Sequence, residues 1–273
     1  MNKQQLSAGS GLQRPTVLLL GGTGRTGRRV LEQLLERGFA VRAIVRSKAK
    51  LPHDAAENPD LTVIEASLDS LSDGELAGYL VGCESVVSCL GHVTSFRGIF
   101  GAPRDLVTRT VARVCRQIEA RQPTTPVKLV LMSSVSVHGD RGHDRRRGSF
   151  ERAFLSLVRA AVPPAKDNQS AATFLLGEVG PKHAFVEWVV VRPDSLLDGD
   201  VSEYLLHEEL SHSIFAPAST RMANVAHFMC ELVTSPTLWA EWKGKLPVIT
   251  DAGGGAPRRG AAGAGSSEKS TGA

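Results

Sequence analysis

The chain has 273 residues, a formal charge of +4 and 42% apolar residues, enough for one α/β domain with a sizeable core. The positive charge is mild and mostly dispersed, which argues only weakly for a nucleic-acid partner, and no apolar run approaches the roughly 20 residues that cross a bilayer. Four cysteines (Cys83, Cys89, Cys115 and Cys230) contain no C-x-x-C pair, so they read as reduced thiols in or near the core of a cytoplasmic protein rather than as metal ligands or disulfides.

Residues 1–14 lack the apolar centre of a signal peptide and are expected to form a flexible arm. Val17 to Leu20 then make an unbroken apolar run, as in the first strand of a parallel sheet covered on both faces. Gly21, Gly22, Gly24 and Gly27 follow at once and satisfy both G-x-x-G-x-x-G and G-x-G-x-x-G. Val30, Leu31, Leu34 and Leu35 repeat at helical spacing, and Gly38 ends the helix. A pyrophosphate binds where the unpaired N–H groups and positive dipole of a helix N-terminus point outward. Glycines permit the tight turn, the approach of the phosphates and the close packing of helix on strand. This stretch therefore predicts a dinucleotide site.

Further apolar runs predict strands at Ala40–Val45, Leu61–Ala66, Ser85–Leu90, Val127–Met132 and Val186–Val191, with Leu246–Ile249 a candidate seventh. They close on Arg46, Gly91, Ser133-Ser134 and Arg192-Pro193 where such residues follow. Helical patterns lie between them at Leu71–Leu80, Asp105–Arg121 and Gln169–Val179. Alternating strands and helices imply βαβ units and a doubly wound parallel sheet.

After the fifth strand comes a basic loop, 139–148, with Arg141, Arg145, Arg146 and Arg147 partly balanced by Asp140, Asp144 and Glu151. A solvated loop and a site for acidic ligands are both readings of it. Phe150, Phe154, Leu157, Val158 and Ala161 then share a helical face, which suits either a lid over a cleft or a helix packed on the core. Residues 251–273, rich in Gly, Ala and Ser, read as a disordered tail, leaving 15–250 as the folded domain. His207 to His212 comes near H-E-x-x-H, but its second histidine falls one residue late for a shared helical face. It reads as a polar loop, and no metal site is expected.

GGTGRTG, AIVRS, VVSCLG, LVLMSS, VVVRPDSL and STRMANVAHFM occur in an order that resembles the atypical short-chain dehydrogenase/reductases. The resemblance is to their NAD(P)H-binding group, which includes NmrA-like regulators and biliverdin reductase B-like flavin reductases, and it covers about residues 16–250. It implies a Rossmann-like doubly wound parallel sheet with a small C-terminal substrate lobe. Gly21, Gly22, Gly24 and Gly27 would shape the pyrophosphate turn, with Thr23, Arg25 and Thr26 able to donate to phosphate. Arg46 stands where NAD-preferring members carry a carboxylate for the ribose. An arginine there suits the adenosine 2′-phosphate instead, so NADP(H) is expected over NAD(H). Ser67 and Leu68 fall at the adenine contact, although Ser67 replaces the usual aspartate. Leu90 and Gly91 would lie along the nicotinamide half. Ser133 would face substrate, and Lys166 would reach the cofactor.

The family's Tyr-x-x-x-Lys pair is missing: Tyr79 and Tyr204 are the two tyrosines, and neither has lysine four residues on. Ser133 and His138 are the remaining candidates for a catalytic role, with a surface position the alternative for His138. The expected activity is NADPH-dependent oxidation–reduction of a small molecule, such as a flavin or quinone. The alternatives are a non-catalytic NADP(H)-sensing regulator with a protein partner, and a sugar-nucleotide epimerase-like enzyme. Neither nucleic acid nor membrane is expected as a partner.

Overall fold

The structure, a computed structural model, describes residues 14–91, 104–139, 148–210, 212–213 and 216–253. The arm up to residue 13, the arginines of the basic loop and the tail from 254 lie outside the described residues.

In chain order the elements are β1 (Thr16–Leu20), α1 (Arg25–Glu36), β2 (Ala40–Val45), α2 (His53–Ala56), β3 (Leu61–Glu65), α3 (Asp73–Leu80) and β4 (Cys83–Ser88). Next come α4 (Leu106–Arg121), β5 (Val127–Met132), α5 (Ser149–Ala161), α6 (Pro163–Phe174) and β6 (Val186–Pro193). The chain continues with β7 (Ser195–Leu197), β8 (Tyr204–His207), β9 (Ser219–Arg221), α7 (Met222–Thr234), α8 (Pro236–Trp242) and β10 (Val248–Asp251).

Eight strands form one sheet in the order β3-β2-β1-β4-β5-β6-β10-β8. Neighbours pair in parallel except β8, which closes the edge antiparallel to β10. The order reverses between β1 and β4, the place where a doubly wound sheet opens a crevice beyond its strand ends. β7 and β9 form a separate two-stranded parallel ribbon.

Alternation along β1 explains the two covered faces. Val17 and Leu19 point into one core with Val30, Leu31 and Phe228, from α1 and α7. Leu18 and Leu20 point into the other with Val111 and Ala172, from α4 and α6. All four β1 side chains are essentially buried, so a continuous apolar run is what this position requires.

The structure adjusts several sequence expectations. α3 begins only at Asp73, because Ser72 and Glu75 form a capping box that fixes the start. α6 begins earlier than expected, since Val162 is its N-cap and proline fills its first turn. Its end widens into a π turn, Leu175–Val179, which stops at Gly180 with φ +70°. Tyr204–His207, expected in part as a polar loop, is an edge strand; His207 Nε2 lies 3.3 Å from Thr250 Oγ1 on β10. Of the two readings of the Phe150 face, a lid over a cleft or a helix packed on the core, the packing of Phe150, Phe154 and Leu157 on the core is not seen. Phe150 and Leu157 are 77% and 66% exposed, whereas Leu155 and Glu151 are buried. Glu151 is held by Ser213 Oγ, which donates to it at 3.2 Å, so that side of the helix turns inward.

Candidate cofactor site

The turn after β1 is shaped by close backbone approaches. Gly21 has φ +79°, and a side-chain carbon there would stand 2.7 Å from the Cys89 carbonyl oxygen. β4 causes that crowding: Cys89 N donates to Leu20 O at 2.9 Å, holding the two strand ends together. A carbon at Gly27 would stand 2.1 Å from Gly21 O, so glycine alone lets α1 start this close to the turn. At Gly22 the neighbour is Leu19 Cδ2 at 3.1 Å. Gly24 differs, since the Gly21 carbonyl at 3.3 Å is its single neighbour within 4 Å. Its outward side is open.

Gly24 is the N-cap of α1, with no side-chain cap, and the first turn carries no acidic residue. The helix end thus presents backbone donors and positive dipole with no carboxylate of its own first turn to quench them. These features fit a pyrophosphate. Thr23 is half-buried and Thr26 is buried. Arg25 is committed elsewhere, because its Nη2 donates to Asp198 Oδ2 at 2.7 Å.

Arg46 directly follows β2, one strand away, and is exposed, with no hydrogen bond or ion pair to another described residue. Lys48 and Lys50 are exposed in the following short 3₁₀ turn. Glu65, across from Val45 on β3, accepts from the Lys48 backbone N at 3.2 Å. Ser67 starts a tight turn in which its carbonyl accepts from Ser70 N (3.0 Å) and Leu71 N (3.2 Å). Leu68 is buried, and Arg113 Nη1 donates to its carbonyl at 2.7 Å. Leu90 is half-buried, and Gly91 is exposed at the end of its described stretch.

Ser133 follows β5 directly, and its backbone N donates to Val191 O at 2.8 Å. Its hydroxyl is buried without a hydrogen-bond partner, as is that of Ser88 at the end of adjoining β4. Buried hydroxyls are seldom left without a partner, so both strand ends stand out. His138 is exposed, its Nδ1 3.0 Å from Gly139 O, while the Gln169 side chain brackets its backbone. Lys166 is exposed on α6. The tyrosines stand elsewhere: Tyr79 in the last turn of α3, before the start of β4, and Tyr204 on the edge strand β8.

Two residues of structural weight were not singled out from the sequence. Asp167 is buried on α6, and its carboxylate accepts from Val107 N (2.9 Å) and Thr108 N (3.0 Å), capping α4 from outside. Asp198 belongs to the segment after β7, and its contact with α1 links that segment to the glycine turn. Both contacts join residues far apart in the chain. Arg192, read as a strand exit, is buried and donates to the carbonyls of Leu246 (2.8 Å), Val137 (3.1 Å) and Glu208 (3.2 Å). Asp194 accepts from Ser195 N and Ala218 N, and burial pushes its carboxyl pKa up.

All four cysteines are buried and free. Burial drives the Cys115 and Cys230 thiols up to about 12, which makes them poor nucleophiles. A cavity of about 440 Å³ lies at the opposite end of the strands, by Thr16, Cys83 and Lys128 at the strand starts, away from the glycine turn.

The NAD(P)H-binding family's sequence profile matches residues 21–236, most of the chain. The chain belongs to that family. A Synechocystis protein named as a dihydroflavonol 4-reductase is 31% identical over 142 residues, 51% of this chain and 39% of that protein. The chain spans about two fifths of the length of the curated relatives it matches. Among solved structures, a short-chain dehydrogenase/reductase from Veillonella parvula in complex with NADP superposes with a TM-score of 0.63 at 13% identity, covering 88% of this chain and 96% of that one. The anaerobilin reductase ChuY from Escherichia coli O157:H7 gives 0.61 at 18% identity, covering 90% of this chain and 100% of that one. At these identities the likeness is one of fold, a Rossmann-like, mostly parallel sheet flanked by helices. No helix among the described residues is long and apolar enough to cross a membrane.

Proposed function

We propose that this protein is a cytoplasmic NADP(H)-dependent reductase of the atypical short-chain class, with residues 15–250 as its working domain. The carrying observation is the pairing of an uncapped α1 N-terminus at Gly24 with an exposed, uncommitted Arg46 at the end of the next strand. The turn supplies backbone donors for a pyrophosphate, and Arg46 supplies a planar cation for a second phosphate. Glu65, which would repel such a phosphate, is turned to the Lys48 amide. NADPH supplies the hydride when bound.

The chain's own contribution is binding and orientation. Ser133, just after β5, would hydrogen-bond to an acceptor once its buried hydroxyl is uncovered, and it has no partner among the described residues to give up. Neither tyrosine lies beside it, so a carbonyl oxygen would lack the usual proton donor. A conjugated acceptor spreads the incoming charge over its ring and depends mainly on alignment. Flavins and quinones are therefore the favoured substrates, and ChuY, named as an anaerobilin reductase, is in keeping with a conjugated acceptor on this fold.

The test follows NADPH consumption with flavin, quinone and aliphatic ketone acceptors. Turnover with the first two before the third supports the reading. Fast ketone reduction would show that another group acts as acid, with Ser133 and His138 the first to replace. Tight NADPH binding with no turnover on any acceptor would instead favour the regulator.

A further inference from the structure

Asp198 forms a two-pronged contact with the start of α1. Its Oδ2 accepts from Arg25 Nη2 at 2.7 Å and its Oδ1 from Arg29 Nη2 at 3.1 Å. Arg25 is the first residue of α1, directly after the Gly24 cap. A carboxylate is therefore held against the helix end whose chemistry attracts anions.

The placement is built in. Ser202, four residues on, is tied down by Asn224: Ser202 N donates to Asn224 Oδ1 at 2.8 Å, and Asn224 Nδ2 lies 3.0 Å from Ser202 Oγ. Asn224 is fully buried at the start of α7 and also donates to Asp251 Oδ1 at 2.7 Å. Arg221 also reaches Ser202, and its backbone N donates to Asp251 Oδ1 at 2.9 Å. Gly199 has φ +140°, and a side-chain carbon there would lie 3.0 Å from the Arg221 side chain. This network fixes the chain just after Asp198. The Arg25 contact, in turn, holds the Asp198 carboxyl below the usual carboxylate range.

We infer that Asp198 is an internal competitor of the cofactor's pyrophosphate, occupying Arg25 and setting how tightly NADP(H) is held. The inference rests on the NADP(H) reading above. Asp198 acts in two ways. It engages the guanidinium nearest the pyrophosphate turn, and it adds a negative charge where phosphates must arrive. Both effects weaken binding, and both are lost when the carboxylate is removed. Arg25 and Asp198 are exposed, so the competition is screened by salt.

The test is a fluorescence titration with NADPH on the wild-type chain, Asp198→Ala, Asp198→Asn, Arg25→Ala and the Asp198→Ala/Arg25→Ala double variant. Asp198→Ala and Asp198→Asn should each tighten Kd about five-fold at low salt, narrowing to less than about two-fold in 0.5 M salt. Arg25→Ala should weaken binding by less than about two-fold alone but about five-fold when Asp198 is already alanine, because only then is Arg25 free for phosphate. Unchanged or weaker binding by the Asp198 variants would overturn the inference. So would an equal effect of Arg25→Ala in both backgrounds, which a merely structural contact would give. Failure of the wild type to bind NADPH at all would overturn the cofactor reading itself, and this inference with it.

Discussion

A side-chain carbon on Gly27 would lie 2.1 Å from the carbonyl oxygen of Gly21. The first and last glycines of the motif thus fix each other, and the middle one, Gly24, is left facing outward.

That division separates folding from binding. Gly27→Ala forces a methyl against backbone and should lower stability by about 1–3 kcal/mol. Gly24→Val should leave most of the stability in place, because Gly24 has φ −76° and its nearest atom is 3.3 Å away. Thermal unfolding of both variants checks this. Equal losses would show that Gly24 is also a packing position.

Arg46 should carry cofactor choice. A charge-assisted contact with phosphate contributes on the order of 1.5–3 kcal/mol, roughly ten- to a hundred-fold in affinity. Arg46→Ala should shrink the ratio of NADH to NADPH dissociation constants by that order, with NADH affinity hardly changed. A variant that loses affinity for both cofactors equally would move the arginine's role away from the 2′-phosphate.

Ser133→Ala removes a buried hydroxyl that has no partner among the described residues. Such a hydroxyl contributes nothing to folding and costs its desolvation, so stability should stay level or rise by up to about 1 kcal/mol. Activity should fall, with kcat/KM down by roughly ten-fold if Ser133 bonds the acceptor. A lower melting temperature with unchanged kcat/KM would make Ser133 structural.

His227 should contribute to acid sensitivity. Burial pushes its pKa below 6.5, against the opposing pull of Glu231, while Arg37 adds to the lowering. Its Nδ1 lies 3.0 Å from Tyr204 Oη. The unfolded chain therefore binds this proton more readily than the folded one, and stability from this group falls as pH drops below about 6.5. His227→Gln should flatten the stability–pH curve between pH 6.5 and 5 relative to wild type. An identical slope would remove His227 from the cause.

Much of the fold was legible because it depends on local signals. The run Val17–Leu20 demanded burial on both faces, and the spacing of Val30, Leu31, Leu34 and Leu35 set the face of α1. The glycine turn was readable for the same reason. What was not legible depended on partners distant in sequence. α5 turns Glu151 inward because Ser213 is there to donate, and no periodicity reports that. Asp167 caps a helix some sixty residues earlier, and Asp198 meets a helix from the opposite end of the chain. Arg25, named for phosphate from its place in the motif, is held by that carboxylate instead.

The central claim, that the turn after β1 and Arg46 together form an NADP(H) site, is tested most directly by calorimetric titration of the full chain with NADPH and with NADH, using Gly24→Val as the control. The account predicts one NADPH per chain, binding at least ten-fold tighter than NADH, and loss of that binding in a folded Gly24→Val variant. Equal affinity for the two cofactors, or NADPH binding that survives Gly24→Val unchanged, would contradict it.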